Sequence, residues 1–230
     1  FNKKGKTIGR LKKVGRHYSD ANKAWIVNDT IIDNGDIFKQ NGNYKFYTPE
    51  AFDEVFFPSD TIDVSLKISE DKNKDDSQNM RDAKTIGFSI GTDGVEQSKG
   101  GVSKKLAIFD IQMQQYYNYI IGETIYNDRE CYTFTIKVKE GLSKKDKKKA
   151  LIRKIVSYFD KANFTVIYRE YKFVYSNWFL DLDMDITVNM DYINEKHIPT
   201  DIYYKGFWDV IFFKPERAEF ILKNSEYIVD

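Results

Sequence analysis

Residues 180–192 alternate without a break between apolar or aromatic side chains at even positions and polar side chains at odd positions. A β-strand has a side-chain period of two, so it separates two such sets onto opposite faces. A long strand with one apolar and one acidic face is typical of an open antiparallel sheet that is solvated on one side. This pattern constrains the fold more than it constrains the chemistry.

The composition favours the same fold class. Among its 230 residues the chain has 17 Phe and 16 Tyr but only 4 Pro, and aromatic side chains are enriched in strands. A single cysteine excludes an internal disulfide framework. No apolar run reaches about 18 residues, so no transmembrane segment is expected. The net charge of +1 provides no global field that would attract nucleic acid.

The remaining elements are predicted from period and turn residues. Strands are predicted at residues 61–69, 85–90, 117–126, 131–139, 152–159, 164–171, 200–204 and 207–213. Thr48 and Pro49 favour the start of a short helix that ends before Pro58, and weaker helical spacing covers residues 105–117. Gly206 is expected to allow a bend or bulge, and residues 215–220 fit either a short helix or an edge strand. The predicted fold is mainly β (α+β): a large curved antiparallel sheet of half-barrel type with a few short helices, forming one domain over residues 1–230.

The acidic positions of residues 180–192 invite comparison with a calcium loop. That loop requires glycine at its sixth position and glutamate at its twelfth, where this chain has Ile186 and Tyr192. We therefore interpret the acids as a solvated face and predict no metal site. Cationic cross-strand neighbours such as Arg169 or Lys172 should offset their repulsion. The acids concerned are Asp181, Asp183 and Asp185.

No catalytic constellation is recognisable. His17 and His197 lie far apart in sequence, and neither has a partner at metal-ligand spacing. Cys131 lies between Glu130 and Tyr132, without the positive surroundings that a reactive thiolate needs, and is interpreted as a small buried residue. We predict a non-enzymatic protein without a cofactor.

Two basic segments are present. Residues 1–16 contain seven cations and no acid, and we expect a flexible, solvated basic arm there, with a phosphate- or lipid-headgroup-binding arm as the alternative. Residues 141–149 are lysine-rich and fit a solubilising loop. Because no basic stripe connects them, no nucleic-acid partner is predicted.

The apolar faces of the strands leave two alternatives open. They fill an ordinary core, or a curved sheet leaves part of its face free for an acyl chain or another hydrophobic ligand. The residues predicted to line such a concave face are Tyr132, Phe134, Ile136, Phe164, Val166, Leu182, Met184, Ile186 and Phe207.

Residues 116–227 resemble the half-barrel proteins of bacterial outer-membrane lipoprotein sorting, especially divergent envelope members from Bacteroidetes-type bacteria. The resemblance lies in short motifs. They are Gly122-Glu123, Glu130-Cys131-Tyr132-Thr133-Phe134, Val156-Ser157-Tyr158-Phe159-Asp160, Thr165-Val166-Ile167-Tyr168-Arg169 and Ile198-Pro199-Thr200.

This resemblance implies a long antiparallel sheet around one or more helices, with a concave face available to lipid. It also implies an exported protein, periplasmic or associated with the outer membrane. Because the sequence begins at Phe1, we expect a signal peptide to have been removed. The expected function is binding of a hydrophobic ligand or lipoprotein acyl chain on the concave face. The alternative is a protein- or glycan-interaction module of a larger envelope system, acting through aromatic residues such as Trp178 and Trp208.

Overall fold

The computed structural model describes residues 1, 5–19, 23–58, 60–63, 105–178, 180–193, 196–211 and 214–228. The contacts within the chain define two compact units. One comprises Phe1–Asp75 with Glu216–Ala218, and the other comprises Asp76–Pro215 with Glu219–Asp230. The expectation of a single domain stays a prediction.

Within its described residues, the first unit contains a three-stranded sheet in the order β1-β2-β3 and one helix. Strand β1 (Gly9–Ser19) pairs antiparallel with β2 (Lys23–Gly35), and the short β3 (Ile62–Asp63) pairs with the start of β2. Residues 9–16, predicted to lie in a flexible arm, thus form most of strand β1. Helix α1 (Tyr47–Phe56) follows the hairpin.

The second unit is built on a seven-stranded antiparallel sheet in the order β10-β9-β8-β7-β6-β5-β4, a simple meander. This confirms the predicted fold class, a mainly β protein with a large open antiparallel sheet and short helices. Helix α2 (Ile111–Gln114) precedes the sheet, and helix α3 (Lys144–Lys147) lies in the predicted lysine-rich loop. The strands are β4 (Tyr117–Tyr126), β5 (Arg129–Val138), β6 (Ile152–Asp160), β7 (Val166–Ser176), β8 (Leu180–Ile193), β9 (Lys196–Val210) and β10 (Glu216–Lys223).

Strand β8 matches the alternating segment that predicted it. Strand β9 is longer than predicted, because it runs through Gly206 without a break or bulge and pairs continuously with β8 there. The register shift lies instead between Asn189 and Met190. Gly206 is required for a different reason. The ring of Tyr204 folds over it, in the space that a Cβ atom would need, and the Trp208 indole N–H donates to the Tyr204 hydroxyl at 2.6 Å.

The helix predicted to begin at Thr48 and Pro49 is present, but its N-cap differs from the prediction. Helix α1 ends before Pro58 as predicted, but Phe46 rather than Thr48 is its N-cap, and that position has no side-chain cap. The Glu216 carboxylate instead accepts hydrogen bonds from the backbone N–H groups of Tyr47 (2.7 Å) and Thr48 (2.9 Å). A carboxylate at a helix N-terminus satisfies free N–H groups and complements the helix dipole.

The helix predicted over residues 105–117 is wrong for most of that range, because α2 covers only Ile111–Gln114. Residues 215–220 resolve into the edge strand β10 rather than a helix. The strand predicted at 85–90, its flanking loops, and most of the strand at 61–69 lie outside the described residues.

Candidate functional site

The register divides the seven-stranded sheet into an apolar face and a polar face, because directly paired residues point to the same side. One row across the apolar face runs from Ile121 on β4 through Phe134, Ser157 and Arg169 to Val188 on β8. Eight of the nine predicted lining residues belong to this face or contact it. Phe207 does not, because it pairs with Asp183 and therefore lies on the polar face.

The centre of the apolar face is buried. Leu182 is 2% exposed and Met184 1% exposed, and Ile136 is equally inaccessible. Phe173 and Tyr171, on the neighbouring strand β7, are also buried, and their rings stack at 5.9 Å. Three of the predicted lining residues are therefore buried as core.

The segment before β4 covers a further part of this face. The ring of Phe109 stacks on Phe134 (6.3 Å between centroids) and on Tyr119 (6.1 Å). The Tyr119 hydroxyl donates to the backbone carbonyl of Ile108, which is buried. Lys105 lies over the ring of Tyr175, 4.8 Å from its centroid.

The opposite end of the apolar face is open. Ile121 is 78% exposed and Ile125 74% exposed on the edge strand β4, and Phe164 is 68% exposed in the turn between β6 and β7. Tyr132, the cross-strand partner of Glu123, is 37% exposed and stacks on Phe164 at 6.0 Å with an interplanar angle of 9°. We call Ile121, Ile125, Tyr132 and Phe164 the apolar strip.

An ion pair interrupts the apolar strip. The Lys161 ammonium lies over the Tyr132 ring at 5.1 Å and pairs with Glu123 at 2.8 Å and with Glu130 at 3.6 Å. The hydrogen bond to Glu123 raises the pKa of Lys161. Glu123 lies between Ile121 and Ile125 on the same face of β4, so the strip is an apolar surface crossed by one neutralised ion pair.

Phe164 has an unusual backbone. Its φ of 59° lies in the left-handed region, where a bulky residue is an outlier. The turn enforces this conformation, because the Phe164 N–H donates to the Asp160 carbonyl at 2.7 Å and the Ala162 N–H donates to the Asp160 carboxylate at 2.8 Å. Gly or Asn occupies such a position at lower cost. The chain instead places a large, exposed ring there.

The polar face carries the predicted acids and their counterions. Lys172 pairs with Asp183 at 3.2 Å and with Asp185 at 2.9 Å, which confirms one of the two expected cationic neighbours. Burial would lower the pKa of Lys172, but the hydrogen bonds to these carboxylates outweigh it and raise the pKa. Arg169, the other candidate, lies on the apolar face opposite Val188.

Near the turn between β4 and β5 the sheet curls toward the polar face. The Tyr126 hydroxyl, on β4, donates to the Asn189 side-chain oxygen on β8 at 2.6 Å. Four strand spacings separate β4 and β8 by about 19 Å in a flat sheet, more than these two side chains span. Tyr158 and Tyr168 fill the space between, with ring centroids 4.7–5.3 Å from each other and from Tyr126. Here the concave face carries tyrosines, so the assignment of the apolar lining to the concave face is wrong at this end.

The other residues singled out in the sequence are also placed. Cys131 is fully buried, as predicted, and burial raises the pKa of its thiol. Trp178 is 76% exposed, whereas Trp208 is buried. His17 contacts Phe57 and His197 contacts Tyr192. Within the described ranges, no three His, Cys, Asp or Glu side chains are grouped to hold a metal ion, and no helix is long and apolar enough to cross a membrane.

Sequence reasoning missed Ile121 and Ile125, the most exposed members of the apolar strip. Their alternation within residues 117–126 was visible, but nothing in the sequence marks β4 as the edge of the sheet. Comparisons with protein-family models, curated proteins and solved structures found no match to this chain.

Proposed function

We propose that this chain is a non-enzymatic cell-envelope protein that binds a hydrophobic ligand, such as a lipoprotein acyl chain, along the apolar strip. The observation that carries the proposal is the exposure of Ile121, Ile125 and Phe164 at the apolar face of the sheet. An envelope location, periplasmic or outer-membrane-associated, follows only from the resemblance in the sequence and is part of the proposal.

The backbone at Phe164 supports this proposal. A left-handed conformation costs a non-glycine residue about 1–2 kcal/mol, and unfavourable backbone conformations tend to persist where a side chain has a role. The ring extends the apolar surface beyond Tyr132 instead of filling the core. A contact surface for a ligand accounts for both features.

The open geometry limits the affinity. Ile121 and Ile125 are four residues apart, about 13 Å along the strand, so the strip accommodates a stretch of roughly ten methylene groups. A chain on an open surface buries about half of each methylene, which corresponds to ~4 kcal/mol at ~0.8 kcal/mol per buried methylene. The expected Kd for a single chain is therefore about 1 mM, and the ligand should exchange rapidly.

The test is a titration of protein labelled with ¹³C at the isoleucine methyl groups with sodium decanoate. We expect chemical-shift changes at Ile121 and Ile125 but not at Ile120, which lies on the same strand with its side chain on the other face. The variant I120T is the matched control for I121T and I125T. F164N tolerates the left-handed backbone while removing the ring, and it should weaken binding at least three-fold. Shift changes that are absent at 5 mM decanoate, or equal at Ile120, would rule out this site.

A second candidate is recognition of an extended polypeptide by strand addition to β4. In the described sheet β4 is a terminal strand of ten residues. It contains one charged residue, Glu123, which Lys161 neutralises. Natural sheets usually protect an edge with charges or proline, as on β10, which follows Pro215 and carries Arg217 and Lys223. An unprotected edge favours β-augmentation.

The two candidates are distinguishable with one substitution. T124K adds a charge to the edge strand on the face opposite the apolar strip. It should abolish strand addition, measured with a library of extended hydrophobic peptides, and leave the decanoate-induced shifts unchanged. F164N should weaken the decanoate-induced shifts and leave strand addition unchanged.

A further inference from the structure

The hairpin of β1 and β2 has one face packed within its own unit and one face exposed. On the packed side Lys13 forms an ion pair with Asp53 and lies 5.7 Å from the ring centroid of Phe57. His17, on the same side of β1, contacts Phe57 edge-on at 6.0 Å. These contacts attach the hairpin to helix α1, so its other side is the outward one.

The outward side, which we call the outer hairpin face, combines cations with apolar side chains. The alternate residues of β1 and their cross-strand partners on β2 share this side. Its cations are Arg10, Lys12 and Arg16, and its apolar or aromatic members are Val14, Tyr18, Trp25, Val27 and Ile32. All three cations are exposed, as are Val14, Val27 and Ile32. The rings of Tyr18 and Trp25 stack at 5.6 Å.

The charge of this face is cancelled only in part. Arg16 pairs with Asp29 at 2.8 Å, whereas no described carboxylate forms an ion pair with Arg10 or Lys12. The first sixteen residues carry no acid. The face is thus electropositive over the nine residues from Arg10 to Tyr18, about 26 Å of strand.

We propose that the outer hairpin face docks on an anionic lipid bilayer. Cations interspersed with β-branched and aromatic side chains match the two components of such a surface. Lys and Arg interact with anionic headgroups, and the apolar side chains with the interfacial region beneath them. Nucleic acid would use the cations but not exposed valine and isoleucine. The proposed acyl-chain site is separate, because it lies on the other unit.

The test is co-sedimentation of the full chain with vesicles at 150 mM salt. One set contains 30% phosphatidylglycerol in phosphatidylcholine, and the other contains phosphatidylcholine alone. We expect binding to the anionic vesicles only, with a blue shift of Trp25 fluorescence in the background W178F/W208F. Each cation near an anionic surface contributes about five-fold to the partition coefficient, so R10E/K12E/R16E should lower it by more than 100-fold.

The matched control is K144E/K145E/K148E. It changes the net charge by the same amount on exposed lysines of the other unit, and it should change the partition coefficient less than about three-fold. V27T/I32T keeps strand propensity but removes apolar surface. It should lower the partition coefficient about ten-fold and make the remaining binding more sensitive to salt.

Equal losses in the two triple variants would refute the proposal, since binding would then follow net charge alone. Equal binding to phosphatidylcholine vesicles, displacement by 10 mM inorganic phosphate, or tighter binding to duplex DNA would also refute it. A dimer in solution that V27T/I32T dissociates would assign the face to a second copy instead. The double variant I121T/I125T should bind vesicles normally, which distinguishes failure here from failure of the proposed acyl site.

Discussion

Truncation of Leu182 tests whether the centre of the apolar face is packed core or a ligand surface. Leu182 is 2% exposed and pairs with Trp208, which is also buried. Leu182→Ala removes three carbon atoms, about 2.4 kcal/mol of transfer free energy at ~0.8 kcal/mol per methylene. A residual cavity of roughly 50–100 Å³ adds about 1.2–2.4 kcal/mol at ~24 cal/mol per Å³. We therefore expect a loss of about 3.5–5 kcal/mol in the free energy of unfolding.

The measurement is urea unfolding followed by Trp208 fluorescence in the background W25F/W178F, so that the signal comes from the seven-stranded sheet. With a slope of about 2 kcal/mol per M, the midpoint should fall by roughly 2 M while the slope stays constant. The control is I121T, a β-branched replacement at a position that is 78% exposed, where we expect a change within about 0.5 kcal/mol.

The two variants should separate stability from binding. Leu182→Ala should destabilise the sheet and leave the decanoate-induced shifts in place. I121T should leave the stability nearly unchanged and weaken the decanoate-induced shifts. A loss below about 1 kcal/mol for Leu182→Ala would show that the centre of the face is not tightly packed. Recovery of its stability on addition of decanoate would show that the ligand occupies that centre, and would refute the placement of the site on the apolar strip.

Three further predictions concern single residues. Gly206→Ala should cost at least about 2 kcal/mol, because the new Cβ displaces the Tyr204 ring and breaks its hydrogen bond with Trp208; a cost equal to that of Gly122→Ala in urea unfolding would contradict this. Burial raises the pKa of Cys131, so above about pH 9 the unfolded chain loses this proton while the folded chain keeps it, and the free energy of unfolding should fall with rising pH more steeply than in Cys131→Ala. The native thiol should not react with Ellman's reagent, and rapid reaction would disprove its burial. Lys172→Ala should cost about 0.5–1.5 kcal/mol by leaving two aspartates unpaired, and the difference from the parent chain should shrink in 1 M NaCl, where an unchanged difference would argue against an electrostatic origin.

The sequence predicted most of the strands of the large sheet because each carries its own local signal. The alternating residues 180–192 form β8, and Lys172 forms the expected ion pairs with the aspartates of that strand. Phe207 was misassigned for an identifiable reason. A bend at Gly206 would start a new strand and reset which side chains point inward, but β9 is continuous there. The Tyr204 ring lies over Gly206, and this contact has no local sequence signature.

Local sequence patterns also could not predict which side chains of the apolar face are buried and which are exposed. Alternation shows that Leu182 and Ile121 belong to the apolar sides of their strands, but not that one strand lies within the sheet and the other at its edge. Strand order produces that difference, and it separates a residue that is 2% exposed from one that is 78% exposed. The hydrogen bond between Tyr126 and Asn189 is equally non-local, since it joins residues 63 positions apart.

The direction of the curl bears on which kind of binding the sheet supports. A half-barrel carrier encloses its ligand on the concave side, where opposing strands bury most of its surface. In this sheet the end near the β4–β5 turn curls toward the polar face, and the concave side is filled by the rings of Tyr126, Tyr158 and Tyr168.

The apolar strip therefore lies on the outside of the curve, where a ligand is covered from one side only. Such a surface favours low affinity and fast exchange, which is the behaviour of a transient acceptor or docking module rather than of a carrier that retains its cargo. If decanoate or a diacylated lipopeptide bound with a Kd below about 1 μM, corresponding to more than ~8 kcal/mol, the strip would be too small to account for it and the ligand would have to lie elsewhere.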